Sequence, residues 1–180
     1  MERWLAMLEG EAPRSGGRPD SRRIVVGVDG SSGARHALSW ALAEAKLRGA
    51  ALEVVHSWNY PEQGPKVSAT AGLAVTVEAL EEDALQVVEE SLAGLAVSEG
   101  LDLRRHVAPA PAALALVEAA EGADLLVVGA RGRGGFAGLL LGSVAQQCAQ
   151  HTPCPLVIVP APGERFEFDP GRARAEFASL

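Results

Sequence analysis

The sequence predicts a doubly wound, Rossmann-like α/β domain whose five-stranded parallel sheet runs in the order 3-2-1-4-5. Three observations predict it. Five short apolar runs alternate with four segments of helical period. The first, fourth and fifth runs are continuously apolar, as strands buried on both faces must be, and the second is mainly apolar, whereas the third alternates with charged residues, the mark of a sheet edge. A stretch from Gly129 to Val144 follows the fourth run and carries six of the twenty glycines. Where strand order reverses, the loop after a strand opens a ligand crevice.

Composition sets the bounds. The chain has 180 residues, enough for one domain with tails and a core that needs no staples. Hydrophobic residues make up 48% and aromatic ones 4%, so the interior is built from Ala, Val and Leu. A net charge of -7 provides no broad basic face, which argues against nucleic acid as the main partner. Cys148 and Cys154 form neither a disulfide framework nor a metal-spaced set, and they point to a reducing cytoplasm. No apolar run reaches membrane-spanning length, so no membrane partner is expected. The patch Trp4 to Leu8, flanked by Glu2 and Glu9, is too short and too acidic in its surroundings for a signal peptide. Residues 1–21 read as a flexible arm, 22–162 as the domain, and 163–180 as a tail. The tail's Phe166, Phe168 and Phe177 suit a short helix laid on a partner or a disordered end.

The elements follow in order. Ile24, Val25, Val26 and Val28 form the first strand, closed by the turn Asp29-Gly30-Ser31-Ser32. Ser31 or Ser32 caps a helix whose Ala34, Ala37, Leu38, Ala41, Leu42 and Ala45 share one face, and Gly49 ends it. Leu52 to His56 is the second strand, the next β of a βαβ unit. Asn59 to Gly72, broken by Pro61, Gly64 and Pro65, is a long loop, either mobile or covering something. A helix is expected from Leu73 to Ser98, with Val77, Leu80, Ala84, Val88 and Leu95 inward and Glu78, Glu82 and Glu89 in water. Leu101 to Val107 is the alternating third strand. Pro111 opens a helix with Ala113, Leu116, Val117 and Ala120 on one face. Asp124 to Val128 is the fourth strand, and Leu141, Val144, Ala145 and Cys148 mark the inner face of a helix opening at Ser143 and stopped by Pro153. Pro155 to Val159 is the fifth strand. It forms the opposite edge, and an uncovered apolar edge predicts a homodimer through Pro155 to Pro160.

The glycine-rich stretch reads as a phosphate cradle. Gly129, Gly132 and Gly142 stand in the spacing G-x-x-G-x9-G with Ser143 next, so backbone amides and a helix N-terminus converge. Ser143 can cap the helix and donate its hydroxyl to the same anion. Arg131 and Arg133 are cations over the phosphates or solvated loop arginines. Asp29, at the end of strand one, accepts a ligand hydroxyl, holds Mg²⁺ or simply forms the turn before Gly30. His56 is a candidate catalytic group or a hydrogen-bonded core histidine. Cys148 reads as packing and Cys154 as structural.

Together these segments resemble the universal stress protein family. The resemblance rests on Val28-Asp29-Gly30-Ser31-Ser32, on Gly129-Ala130-Arg131-Gly132 with Gly142-Ser143-Val144 nine residues later, and on Cys154-Pro155-Leu156-Val157-Ile158-Val159. It spans about Arg22 to Pro160, and the glycine spacing is that of the ATP-binding branch. The resemblance implies an adenine nucleotide alpha hydrolase-like fold with ATP as cofactor, with or without Mg²⁺. It places Asp29 at the adenosine end with Gly27 beside it, and gives Ser57 backbone contacts to adenine. Gly129, Ala130, Arg131, Gly132, Arg133, Gly142, Ser143 and Val144 would hold ribose and phosphates, although Ala130 lacks the serine hydroxyl of many members. The expected function is a nucleotide-responsive regulator in stress response, acting as a homodimer on an unknown client. Alternatives are a slow ATPase or phosphotransfer protein, and a flavodoxin-like FMN protein. Fast hydrolysis is not expected, because no Walker lysine and no evident base stand on the loop.

Overall fold

A computed structural model describes residues 22–58, 77–133 and 141–161. The expectations for the arm, the Asn59 to Gly72 loop, the tail, and residues 134–140 of the glycine stretch lie outside the described residues.

The order of elements is β1 (Arg23–Gly27), α1 (Ser32–Arg48), β2 (Ala51–Ser57), α2 (Val77–Leu92), β3 (Leu103–Ala108), α3 (Ala112–Ala119), β4 (Leu125–Gly129), α4 (Ser143–His151) and β5 (Leu156–Val159). All pairings are parallel and the sheet runs β3-β2-β1-β4-β5, as the sequence predicts. β1 is central, with Ile24 opposite Leu52 on one side and Leu125 on the other. The two-residue strand period splits the core into two layers. Ile24, Val26, Leu52, Val54 and Val127 pack under Ala37, Leu38, Ala41, Val88 and Leu92 of α1 and α2. Val25, Val55, Leu126 and Val128 pack under Ala113, Leu116, Ala145 and Cys148 of α3 and α4. Each fully buried Val, Ile or Leu contributes about 1.5–3 kcal/mol. A flavodoxin-like sheet would run 2-1-3-4-5, so the observed order removes that alternative.

Helix α1 begins where Ser31 Oγ accepts the Ala34 amide at 3.1 Å. It ends at Gly49, whose φ of 61° is the left-handed conformation glycine takes without strain. Helix α2 is shorter than expected at its carboxyl end. It stops at Leu92 because Gly94 turns left-handed, φ 74°, and Leu95 reaches the core from the loop beyond. Val77, expected inward, is exposed on the first turn, whereas Glu78, Glu82 and Glu89 face solvent as expected. β3 begins at Leu103 rather than Leu101, and its middle residues Arg105 and His106 are exposed, which suits its place at the edge. At the other edge β5 leaves the apolar Leu156, Val157 and Ile158 half-buried.

One polar cluster crosses the α3 side of the sheet. Glu53 of β2, 8% exposed, accepts from Arg23 Nη1 at 2.6 Å and lies 3.0 Å from His106 Nδ1. Arg23 also donates to the carbonyls of Ala119 at 2.8 Å and Glu121 at 2.6 Å, closing the carboxyl end of α3. Burial pushes the Glu53 pKa up, but the hydrogen bonds from His106 and Arg23 outweigh it and hold the carboxyl below its ordinary value.

Candidate functional site

The carboxyl ends of β1, β2 and β4 and the amino end of α4 surround a cavity of about 560 Å³. A cavity of this size suits a ligand of nucleotide dimensions. Its position follows from the strand order, since α1 and α4 leave opposite faces of the sheet between β1 and β4. The structure brings Gly27, Asp29, Ser57, Gly129, Ala130, Arg131, Gly132, Arg133, Gly142, Ser143 and Val144 together on its wall. Val28, Val55, Ala112, Leu116 and Val128 line it too, making the β1, β2 and α3 side apolar. Sequence reasoning assigned these five to the core or left them unremarked. The signal that finds them is their place at strand ends beside the crevice, or on the helix packed over it.

The glycine loop is fixed by backbone contacts. Ala130 N–H donates to Val159 O and Gly142 N–H donates back to Ala130 O, both at 2.8 Å, so the loop leaves and rejoins the sheet at one point. Gly129 lets β4 meet the first turn of α1, because a Cβ there would lie 3.0 Å from the Gly33 carbonyl carbon and 3.1 Å from Ala34 N. Helix α4 starts differently from the expected capping by Ser143. Gly142, extended at φ -75° and ψ 162°, is the cap residue, Ser143 occupies the first helical position, and no side chain caps the helix. The first-turn amides therefore have no acceptor within the helix, and residues 142–145 line the cavity.

Asp29 is engaged twice by the backbone. Its Oδ1 accepts the Ser31 amide and its Oδ2 the Arg133 amide, each at 2.9 Å. A Cβ on Gly132 would overlap that Oδ2. His56 Nδ1 donates to Val28 O at 2.7 Å; because a carbonyl only accepts, the neutral ring keeps an acceptor at Nε2. The histidine is thus hydrogen-bonded, as one reading expects, yet half-buried on the cavity wall. Cys148, on the inner face of α4, is fully buried, and burial pushes its thiol up to about 11, so it stays protonated at neutral pH. Among the described residues no three His, Cys, Asp or Glu side chains gather as a metal site.

The model of the universal stress protein family matches residues 21–160, nearly all of the described chain. This chain belongs to the universal stress protein family. A universal stress protein of Mycolicibacterium smegmatis is 38% identical over 146 residues, covering 78% of this chain and 46% of that protein. One from Mycobacterium tuberculosis is 36% identical over 141 residues, with the same 78% and 46% coverage. The chain therefore spans about half the length of the curated relatives it matches. A solved universal stress protein from Archaeoglobus fulgidus superposes with a TM-score of 0.56 at 27% identity, covering 77% of this chain and 98% of that one. The universal stress protein fold thus accounts for the sheet, the helices and the crevice.

Proposed function

We propose that this universal stress protein binds an adenine nucleotide, foremost ATP, and serves as a nucleotide-responsive regulator in stress response. One observation carries the reading: the glycine loop, the uncapped α4 amino end and Asp29 meet at one cavity whose opposite wall is apolar. The apolar wall suits a purine, Ser57 at the β2 end offers backbone groups to its edge, and the amides with Ser143, Arg131 and Arg133 suit ribose and phosphates. Micromolar affinity requires about 8 kcal/mol, whereas a helix terminus alone supplies about 0.3–1 kcal/mol. The base pocket and the loop therefore act jointly. Magnesium, where it accompanies ATP, would be held chiefly by the phosphates, with Asp29 as the one carboxylate among the described residues of the wall.

Binding is favoured over rapid turnover by the same wall. Among its described residues there is no lysine, and Asp29 is the one carboxylate, already accepting two amides. At most slow hydrolysis is expected.

Protein purified without added nucleotide should release an adenine nucleotide on denaturation, identified by mass spectrometry, and should bind ATP saturably. The absence of both would overturn the reading.

The reading includes a homodimer through Pro155 to Pro160 acting on an undetermined client in a reducing cytoplasm. Its support is the apolar β5 edge, half-buried in one chain, which a second β5 would cover. Among the described residues no helix is long and apolar enough to cross a membrane. Val157→Glu should convert the dimer to monomer in light scattering. A variant that stays dimeric would place the interface elsewhere.

A further inference from the structure

We propose that Asp29 is a positioning residue, a clasp that fixes the entrance of the glycine loop on the β1–α1 turn before any ligand arrives. The carboxylate joins two segments far apart in the chain. Oδ1 accepts Ser31 N–H within its own turn, and Oδ2 accepts Arg133 N–H, 104 residues away, each at 2.9 Å. Hydrogen bonds to an ionised acceptor are roughly twice as strong as neutral ones. Three further contacts close the same joint. Gly132 has no side chain where Asp29 Oδ2 sits, the Arg133 guanidinium lies where a Gly30 side chain would project, and a Cβ on Gly33 would come 2.7 Å from Arg131 O. A larger residue at Gly33 would push the Arg131 carbonyl away from the turn, one at Gly132 would displace the Asp29 carboxylate, and one at Gly30 would displace the Arg133 guanidinium.

Two consequences follow for the site. Arg133 is held on the cavity wall by its own backbone, with its guanidinium over the β1–α1 turn at Gly30, so its position does not wait for a phosphate. A carboxylate whose two oxygens already accept two amides also repels an incoming anion less than a free one. Preorganisation of this kind raises affinity by lowering the ordering cost of binding. The clasp itself is a property of the ligand-free chain, whereas its effect on affinity rests on the nucleotide reading.

The test uses the full chain without ligand. Hydrogen exchange at the Arg133 amide should be slow in the wild type and about tenfold or more faster in Asp29→Ala. Gly132→Ala leaves the carboxylate chemically intact but displaces it, and should give the same loosening, together with faster tryptic cleavage after Arg131 and Arg133. Asp29→Asn, of the same shape, should fall between them and keeps the comparison readable if the alanine variant does not fold. In the second arm, Asp29→Asn and Gly132→Ala should weaken ATP binding by similar factors with and without Mg²⁺. Equal exchange in wild type and Asp29→Asn, or protection of Arg133 that arises only when ATP is added, would overturn the clasp. A loss of affinity confined to Mg²⁺-containing buffer would overturn it too, by assigning Asp29 to the metal. If ATP does not bind the wild type, the nucleotide reading fails while the exchange arm still decides the clasp.

Discussion

A Gly132→Leu variant should lose nucleotide affinity by about a hundredfold or more while keeping its fold. The first reason is steric: the added Cβ alone overlaps Asp29 Oδ2, and the rest of the side chain must enter the cavity or drive the loop off the β1 turn. Either route removes several contacts at once, and each tenfold in affinity corresponds to about 1.4 kcal/mol. The fold is spared because Gly132 lies in a loop beyond β4, outside both core layers. Titration calorimetry with ATP, paired with a thermal melt, checks both halves of the expectation. Unchanged affinity would remove the cradle assignment, and a large drop in melting temperature would show that the loop belongs to the core.

Arg23→Leu should be the strongest destabilising change among the polar residues, at about 3 kcal/mol near neutral pH, the low end for breaking a buried pair. Glu53 is 8% exposed and would keep its burial while losing the closer of its two hydrogen-bond partners, the permanently charged one. The sign of the pH dependence follows from the lowered Glu53 pKa. The stabilisation it reports is fully present above the unfolded value, near 4.5, and is lost as pH falls through the lower folded value. In the variant only the His106 bond is left to oppose burial, so the pKa is held down less and the carboxyl protonates more readily than in the wild type. The stability gap between wild type and variant should therefore shrink on acidification from pH 7 to below 4.5. A remainder independent of pH reports the lost bonds to the Ala119 and Glu121 carbonyls. Urea unfolding at several pH values measures this, and a constant gap would rule out Glu53 as its source.

The two variants probe opposite ends of the sheet. Arg23 closes the amino edge of β1, whereas Asp29 and Gly132 organise the carboxyl edge where the cavity lies. Stability and binding should therefore separate: Arg23→Leu should leave ATP affinity of the folded fraction near that of the wild type.

Element order, the parallel sheet and both edges were legible in the chain, and the glycine stretch picked out residues that border one cavity. These rest on periodicity and on glycine spacing, which are local properties of the chain. Ile24 to Val28 is apolar throughout because both its faces are covered, and β3 alternates because it has an open side. Element ends were less legible where competing local signals met. Gly94 halts α2 within an otherwise helical pattern, and Gly142 takes the cap position next to a serine able to fill it. Only the tertiary structure decided which distant groups meet. The pairing of Arg23 and His106 with Glu53 depends on the registers of β1 and β3 against β2, and no spacing in the chain encodes it. Asp29 is the sharpest case. As a residue it suits a turn, a hydroxyl or a metal, and the approach of Arg133 from 104 residues away gives its second oxygen a partner. A side chain's partners are set by how the whole sheet brings loops together, and a sequence read locally contains the loops without their meeting.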